Sequence, residues 1–270
     1  MRILKTAFCG AVSASIACVA LADVSAGIAA LEAGNVSGAV EEFRAGFEDG
    51  DADGAFFIGR LFEMGLGTER DMRSAVELYS AAADQGSALA QNRLGLMYLN
   101  GELVLQDYQR AAELICSAAE SGDANSAFNC GLLLADGQGV DEDTAKAVAY
   151  WQQAAEQNHV AAINYLGQAY RDGEGVEQSY ETAVKNFSRT GGAGNPLGLF
   201  ELAKAYQSGN GVERDFIKAH GYANLASARG MDEARILRDT LSTQLDRDDL
   251  EAAQRFAREW EAAPLDQDGP

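Results

Sequence analysis

Residues 124–159 read ANSAFNCGLLLADGQGVDEDTAKAVAYWQQAAEQNH, and this stretch decides the fold. Ala127, Cys130, Gly131 and Leu134 fall three and four residues apart, one face of a helix. Asp136-Gly137-Gln138-Gly139 then stops that helix, because glycine reaches the left-handed backbone region that closes a helix C-terminus. Asp143 offers a carboxylate to the free amides of a second helix, whose apolar side carries Ala147, Val148, Trp151, Ala154 and Ala155 and which runs to about Glu156. Asn158 turns the chain onward, at the place where other stretches use Gly86, Gly122, Gly194 and Gly230. One such helix pair cannot bury both apolar sides alone; it needs stacked neighbours.

The neighbours are present, without insertion or deletion. At intervals of 36 residues stand Gly59, Gly95, Gly131, Gly167 and Ala203, and six residues after each comes Gly65, Gly101, Gly137, Gly173 or Gly209. A capping column runs Asp71, Asp107, Asp143, Ser179, Asp215, and an alanine column runs Ala75, Ala111, Ala147, Ala183, Ala219. Ser179 keeps a side-chain oxygen where the others have Asp, so the cap is preserved. Five copies span 52–231. Residues 23–51 form a partial N-terminal copy in which Ala39, Phe43 and Gly50 are in register with Ala75, Tyr79 and Gly86. After Met231 the glycines end, and 232–263 read as two capping helices. The second opens at Asp246, and Arg247, Asp248, Glu251, Arg255, Arg258 and Glu259 give a polar outer face. Residues 264–270 read as a flexible tail.

The pattern resembles Sel1-like repeats, relatives of tetratricopeptide repeats. It is carried by Leu94-Gly95, Tyr98 and Gly101; by Gly137-Gln138-Gly139-Val140, Asp143, Ala147, Trp151 and Ala154-Ala155; by Leu166-Gly167, Tyr170 and Gly173-Glu174-Gly175-Val176; and by Tyr206, Gly209-Asn210-Gly211-Val212 and Asp215. The resemblance implies an all-α, right-handed α/α superhelical solenoid of helix-pair repeats, closed by C-terminal capping helices. Two departures are local. Leu103 replaces the second glycine of the second copy, and Thr190-Gly191 replace the Ala-Ala pair of the fourth. The latter predicts a frayed second helix near Gly191-Gly192-Ala193-Gly194.

The N-terminus reads as a cleaved signal peptide over 1–22. Arg2 and Lys5 precede an apolar run from Ala7 to Leu21, and Ala20-Leu21-Ala22 matches a cleavage site before Asp23. That places the mature chain in a periplasm or outside the cell, and no later stretch reads as a membrane span. The formal net charge of −20 excludes nucleic acid as a partner and disfavours anionic membrane surfaces. It keeps a long array from sticking to itself and, read functionally, favours a basic partner.

No cofactor or catalytic motif is expected. There are two histidines and no Cys-x-x-Cys or His-x-x-x-His, so a zinc site is not supported. Asp141-Glu142-Asp143 reads as a helix start rather than a calcium loop. Gly173-Glu174-Gly175 follows a helix, not a strand, and so is no phosphate loop. Neither Gly-x-Ser-x-Gly nor Ser-x-x-Lys occurs. The resemblance therefore implies a non-catalytic monomer that binds a peptide or protein segment on its concave face. The rival class is a cell-envelope enzyme or a β-lactam- or muropeptide-binding protein of the cysteine-rich Sel1 type.

Cys9 and Cys18 leave with the signal peptide, and Cys116 and Cys130 remain. They stand on the second helix of one copy and the first helix of the next, each about two turns from the corner near Gly122. Cysteine-rich members of the family bridge the same two helices one turn nearer the corner, at positions equivalent to Ala119 and Ala127. Two readings stay open: a disulfide closing this segment, or two small buried thiols, Cys130 standing where neighbouring copies have Leu94 and Leu166. In relatives the first helices line the concave side. Columns that vary among copies are expected to face solvent there: Phe57, Arg93, Asn129, Tyr165, Glu201; Arg60, Leu96, Leu132, Gln168, Lys204; and, in a third, Asn100.

Overall fold

The computed structural model describes residues 24–265. The expected signal peptide and the last five residues of the expected tail lie outside the described residues. Within them the chain forms fourteen helices and no strand. Helices α1 (Val24–Glu32) and α2 (Val36–Glu48) precede five pairs. These are α3 (Asp53–Met64) with α4 (Met72–Asp84), α5 (Ala88–Asn100) with α6 (Tyr108–Glu120), and α7 (Ala124–Asp136) with α8 (Thr144–Glu156). Then come α9 (Val160–Asp172) with α10 (Tyr180–Gly192) and α11 (Pro196–Ser208) with α12 (Phe216–Ser227). Helices α13 (Asp232–Ser242) and α14 (Arg247–Glu259) close the array. From α1 to α13 each helix packs on its chain neighbour, α14 folds back onto α12, and the first helices α3, α5 and α7 also touch in series, so the core runs along the array rather than filling a sphere.

The repeated residues do what their chemistry demands. The side chains of Asp71, Asp107, Asp143, Ser179 and Asp215 each accept from an amide in the first turn of the following second helix. Gly65, Gly101, Gly137, Gly173 and Gly209 close the first helices with φ between 62° and 81°, the left-handed region that side-chain-bearing residues avoid. The Gly131 column is small for a different reason. A Cβ there would overlap the Trp151 ring, and at Gly59 it would come within 2.7 Å of the Tyr79 ring. A large residue on the second helix lies flat on the backbone of the first.

A third column locks each loop onto the preceding repeat. A Cβ on Gly139 would overlap the Tyr108 carbonyl at the start of α6, and Gly175 and Gly211 meet the carbonyls of Thr144 and Tyr180 in the same way. In the second repeat Leu103 occupies this column at φ 63° with its side chain 63% exposed. Leucine in the left-handed region is strained.

Two expectations need correction. Helix α10 is not frayed: it runs to Gly192, as long as α8. The Thr190 hydroxyl donates to Asn164 Oδ1 at 2.7 Å, and a Cβ on Gly198 would collide with Thr190 and Gly191. The small residues let α10 and α11 close on each other. The second capping helix also ends at Glu259, short of the expected 263, and the described residues after it are held against the array. Trp260 lies over the Arg229 guanidinium at 4.8 Å, the Ala263 amide donates to the Gly192 carbonyl at 2.9 Å, and Leu265 packs against the core built by α6 to α9. Residues 260–265 form a strap along the fourth repeat.

Candidate functional site

Cys116 on α6 and Cys130 on α7 are brought together at disulfide distance, with sulfurs 2.01 Å and Cα atoms 5.0 Å apart. The bonded pair would tie the second repeat to the third.

The variable columns on the first helices are less free than their variation suggests. Phe57 stacks on Phe43 at 5.0 Å. Leu96 and Leu132 are half-buried against the central core. The Asn129 amide donates to Asn92 Oδ1 at 3.0 Å, and Tyr165 lies 5.0 Å from Trp151 and 5.4 Å from Phe128. Gln168 is half-buried, and Asn100 is exposed. Arg60, Arg93, Glu201 and Lys204 are engaged in ion pairs, and Glu201 is only 6% exposed. Several of these residues therefore hold neighbouring repeats together, as Arg93 does with Glu63 and Asn129 with Asn92.

Two of those contacts form matching clusters. At the boundary of the first and second repeats, Glu63 accepts from Arg60 at 2.8 Å, and also from Arg93 and the Tyr79 hydroxyl. Arg93 reaches Glu102 at 3.4 Å. At the boundary of the fourth and fifth repeats, Glu201 accepts from Arg171 at 2.7 Å and from Lys204 at 3.1 and 3.2 Å. Arg171 also forks onto Asp172 through bonds of 2.6 and 2.8 Å. The columns are the same and the charges are exchanged. Glu63 and Arg171 share one column, Arg93 and Glu201 another, and Arg60 and Lys204 a third.

Electrostatics follow geometry. Burial alone would raise the Glu63 carboxyl, but hydrogen bonds from Tyr79 and Arg93 and the charges of Arg93 and Arg60 outweigh it. Its pKa lies below the ordinary 4.5. Burial and the bond to Glu63 push the Tyr79 hydroxyl far up. Asp172 is held below its ordinary value by the hydrogen bond from Arg171.

The clusters differ in the space beside them. Next to Glu201 lies a cavity of about 230 Å³. Its floor is Ala183, Val184, Phe187 and Ala205, and its mouth carries Arg171, Tyr180, Glu201 and Lys204. The structural origin is a size change in two columns. Where the first three repeats have Leu61, Met97 and Leu133, the last two have Ala169 and Ala205. Trp151 and Ala169 belong to one core cluster, whereas Ala205 lines the cavity with the smaller Phe187. Sequence reasoning had the Glu201 and Lys204 positions but missed Arg171, Phe187 and Ala205 as their companions. The drop from Leu or Met to Ala was the available signal.

Neither histidine is arranged as a catalytic base. The Ser242 hydroxyl donates to the Arg238 carbonyl at 2.9 Å, so His220 Nε2, 2.9 Å from that hydroxyl oxygen, must carry the proton and donate. Its Nδ1 is buried without a partner, and burial followed by the Arg238 charge lowers its pKa. His159 caps α9, its Nδ1 accepting from the Ala162 amide at 3.2 Å, and burial lowers its pKa too. Among the described residues no group of three or more His, Cys, Asp or Glu could hold a metal, and no helix is long and apolar enough to cross a membrane.

The Sel1 repeat family model matches residues 52–87, 88–123, 124–159, 160–195 and 196–231. Among solved structures, the chain is similar to c5321, a protective antigen of uropathogenic Escherichia coli strains with an SLR fold. The identity is 27% and the TM-score 0.74, over 83% of this chain and 48% of that one. The chain thus spans about half the length of that relative. A Sel1 repeat protein from Oxalobacter formigenes is 26% identical with a TM-score of 0.69, over 77% of this chain and 86% of that one. No curated protein matches.

Proposed function

The chain belongs to the Sel1 repeat family, and from that premise we propose that it is a non-catalytic adaptor or regulator. It holds a peptide or protein segment on the face lined by its first helices, and it works in the periplasm or outside the cell. The family is generally one of protein-interaction scaffolds, which supports the class of function. The observation that carries the reading is the side-chain-sized cavity between α9, α10 and α11, in an array of five helix pairs. A nucleophile, a base and an oxyanion site do not converge around that cavity.

The Cys116–Cys130 pair supports an oxidising compartment, where a bridge would persist. The reading of 1–22 as a leader supports the same place. Counting free thiols on protein taken directly from the periplasm tests the bridge, with none expected. N-terminal sequencing of the mature chain tests the leader, with Asp23 expected first.

Photocrosslinking from Asn100 or Ser208 in intact cells tests the adaptor reading. A discrete protein adduct is expected from both positions. No adduct, together with turnover of a muropeptide or a β-lactam by the purified chain, would put the protein in the rival enzyme class.

A further inference from the structure

The cavity beside Glu201 has a size, a shape and a charge that specify what enters it. At about 230 Å³ it falls below the roughly 300–1,000 Å³ of small-molecule sites, a volume suited to a single side chain. Its mouth is charge-balanced. Arg171 and Lys204 are matched by Glu201 and Asp172, all in contact, so neither an anion nor a cation is selected there. The floor is apolar, so the entering group is apolar.

The chain itself shows which apolar group fits. One repeat earlier, Tyr165 stands in the column of Glu201, Trp151 in that of Phe187 and Ala169 in that of Ala205. There the Tyr165 and Trp151 rings pack at 5.0 Å, an aromatic pair supplied from within. At the next boundary Glu201 replaces the first ring, Phe187 is the one ring in the apolar lining, and Tyr180 stands half-exposed at the mouth. An incoming aromatic side chain would restore the pair, in the offset or edge-on contacts such rings prefer.

Charge along the array adds a direction. Residues 52–159, the first three repeats, carry sixteen Asp and Glu against six Lys and Arg. Residues 160–231, the last two, carry seven of each. Residues 232–265, beyond them, carry nine Asp and Glu against five Lys and Arg, so the negative field is stronger on the side of the first three repeats.

We infer that the cavity between α9, α10 and α11 anchors one aromatic side chain of a partner segment whose lysines and arginines extend toward the first three repeats. This rests on the adaptor reading and names the chemistry of its partner.

The test uses the full mature chain and a synthetic nonapeptide, Lys-Gly-Lys-Gly-Phe-Gly-Lys-Gly-Lys, in calorimetry at low salt, with methyl NMR of Val184 and Ala205. Binding is expected to shift both methyl signals, to weaken with salt, and to fall roughly tenfold or more when the peptide Phe becomes Ala. Ala205→Met, which restores the residue of the second repeat, is expected to cause a similar loss. Ser208→Trp blocks the mouth from an exposed position and serves as the second variant should the first disturb folding. The inference is overturned if no binding is seen up to millimolar peptide, if both folded variants bind like the parent, or if a glutamate-for-lysine peptide binds equally well. Cellular crosslinking separates the two readings. A partner captured equally by the parent and by Ala205→Met sinks the pocket and leaves the adaptor. No partner captured by the parent sinks the adaptor, whatever the peptide does.

Discussion

At the boundary between the first and second repeats the acid comes from the earlier repeat and the arginine from the later one; between the fourth and fifth the roles are exchanged. Both arrangements place a poorly exposed carboxylate between two cations. Around Glu63 the space is filled: Tyr79 donates its hydroxyl to the acid and Met97 is fully buried beneath. Around Glu201 the equivalent residues are Phe187 and Ala205, and a cavity remains. Repeats can therefore be joined by an ion pair in either polarity. What turns a joint into a place for a ligand is the volume left next to it.

The widest separation between the two regions should come from exchanging those volumes. Met97→Ala opens at the first joint the space already open at the fourth, and should cost about 2–5 kcal/mol in urea unfolding. Ala205→Met fills an existing cavity and should change stability by no more than ~0.5 kcal/mol. Equal losses would mean that the cavity is closed in solution and the contrast is false.

The covalent link between the regions comes next. Replacing Cys116 and Cys130 by Ala, or reducing them, should lower stability by about 3 kcal/mol on the loop-entropy account for a segment of this length. An unfolding midpoint indifferent to reductant would mean that the bridge is absent.

Neutralising the two acids should give a smaller and unequal pair of effects. Glu63→Gln leaves Arg93 mostly buried, with Nε unpartnered and Glu102 only at 3.4 Å, and strands the Tyr79 hydroxyl. A loss of about 2 kcal/mol is expected. After Glu201→Gln, Arg171 keeps its fork on Asp172 and Lys204 turns to water, so less than ~1 kcal/mol is expected.

Acid should show the smallest effect, in two stages. His159 and His220 are held below their ordinary 6.5, so the stability they contribute is complete above that value and lost as pH falls through their lowered pKa values. Glu63 lies below 4.5, so its contribution is complete above 4.5 and is lost at more acid pH still. Thermal melts across this range should show a smaller lower stage in Glu63→Gln, the remainder coming from carboxylates such as Asp172, and an unchanged upper one.

The fold was legible because its main constraint is steric and local. A residue such as Gly131 must be small beneath Trp151, Asp143 must cap, and Gly137 must turn, each within a single repeat. The clusters were only half legible. Arg93 and Glu201 stood out as variable, but their partners Glu63 and Arg171 lie thirty residues earlier in another column, and only stacking brings the two columns together. The expected fraying of α10 failed because Thr190 and Gly191 looked like departures from a pattern. They are instead the shape that lets α11 approach. Nothing in the repeat foretold the path of 260–265, since no other copy has an equivalent of Trp260.

That path also decides which surface a label on it would cover. Because the Ala263 amide is pinned to the Gly192 carbonyl and Leu265 packs against the central core, residues 263–265 lie along the side of the array. A fluorophore attached at 263 would sit beside the end of α10. It would crowd a guest approaching from that flank, so a label for binding measurements belongs away from 263–265.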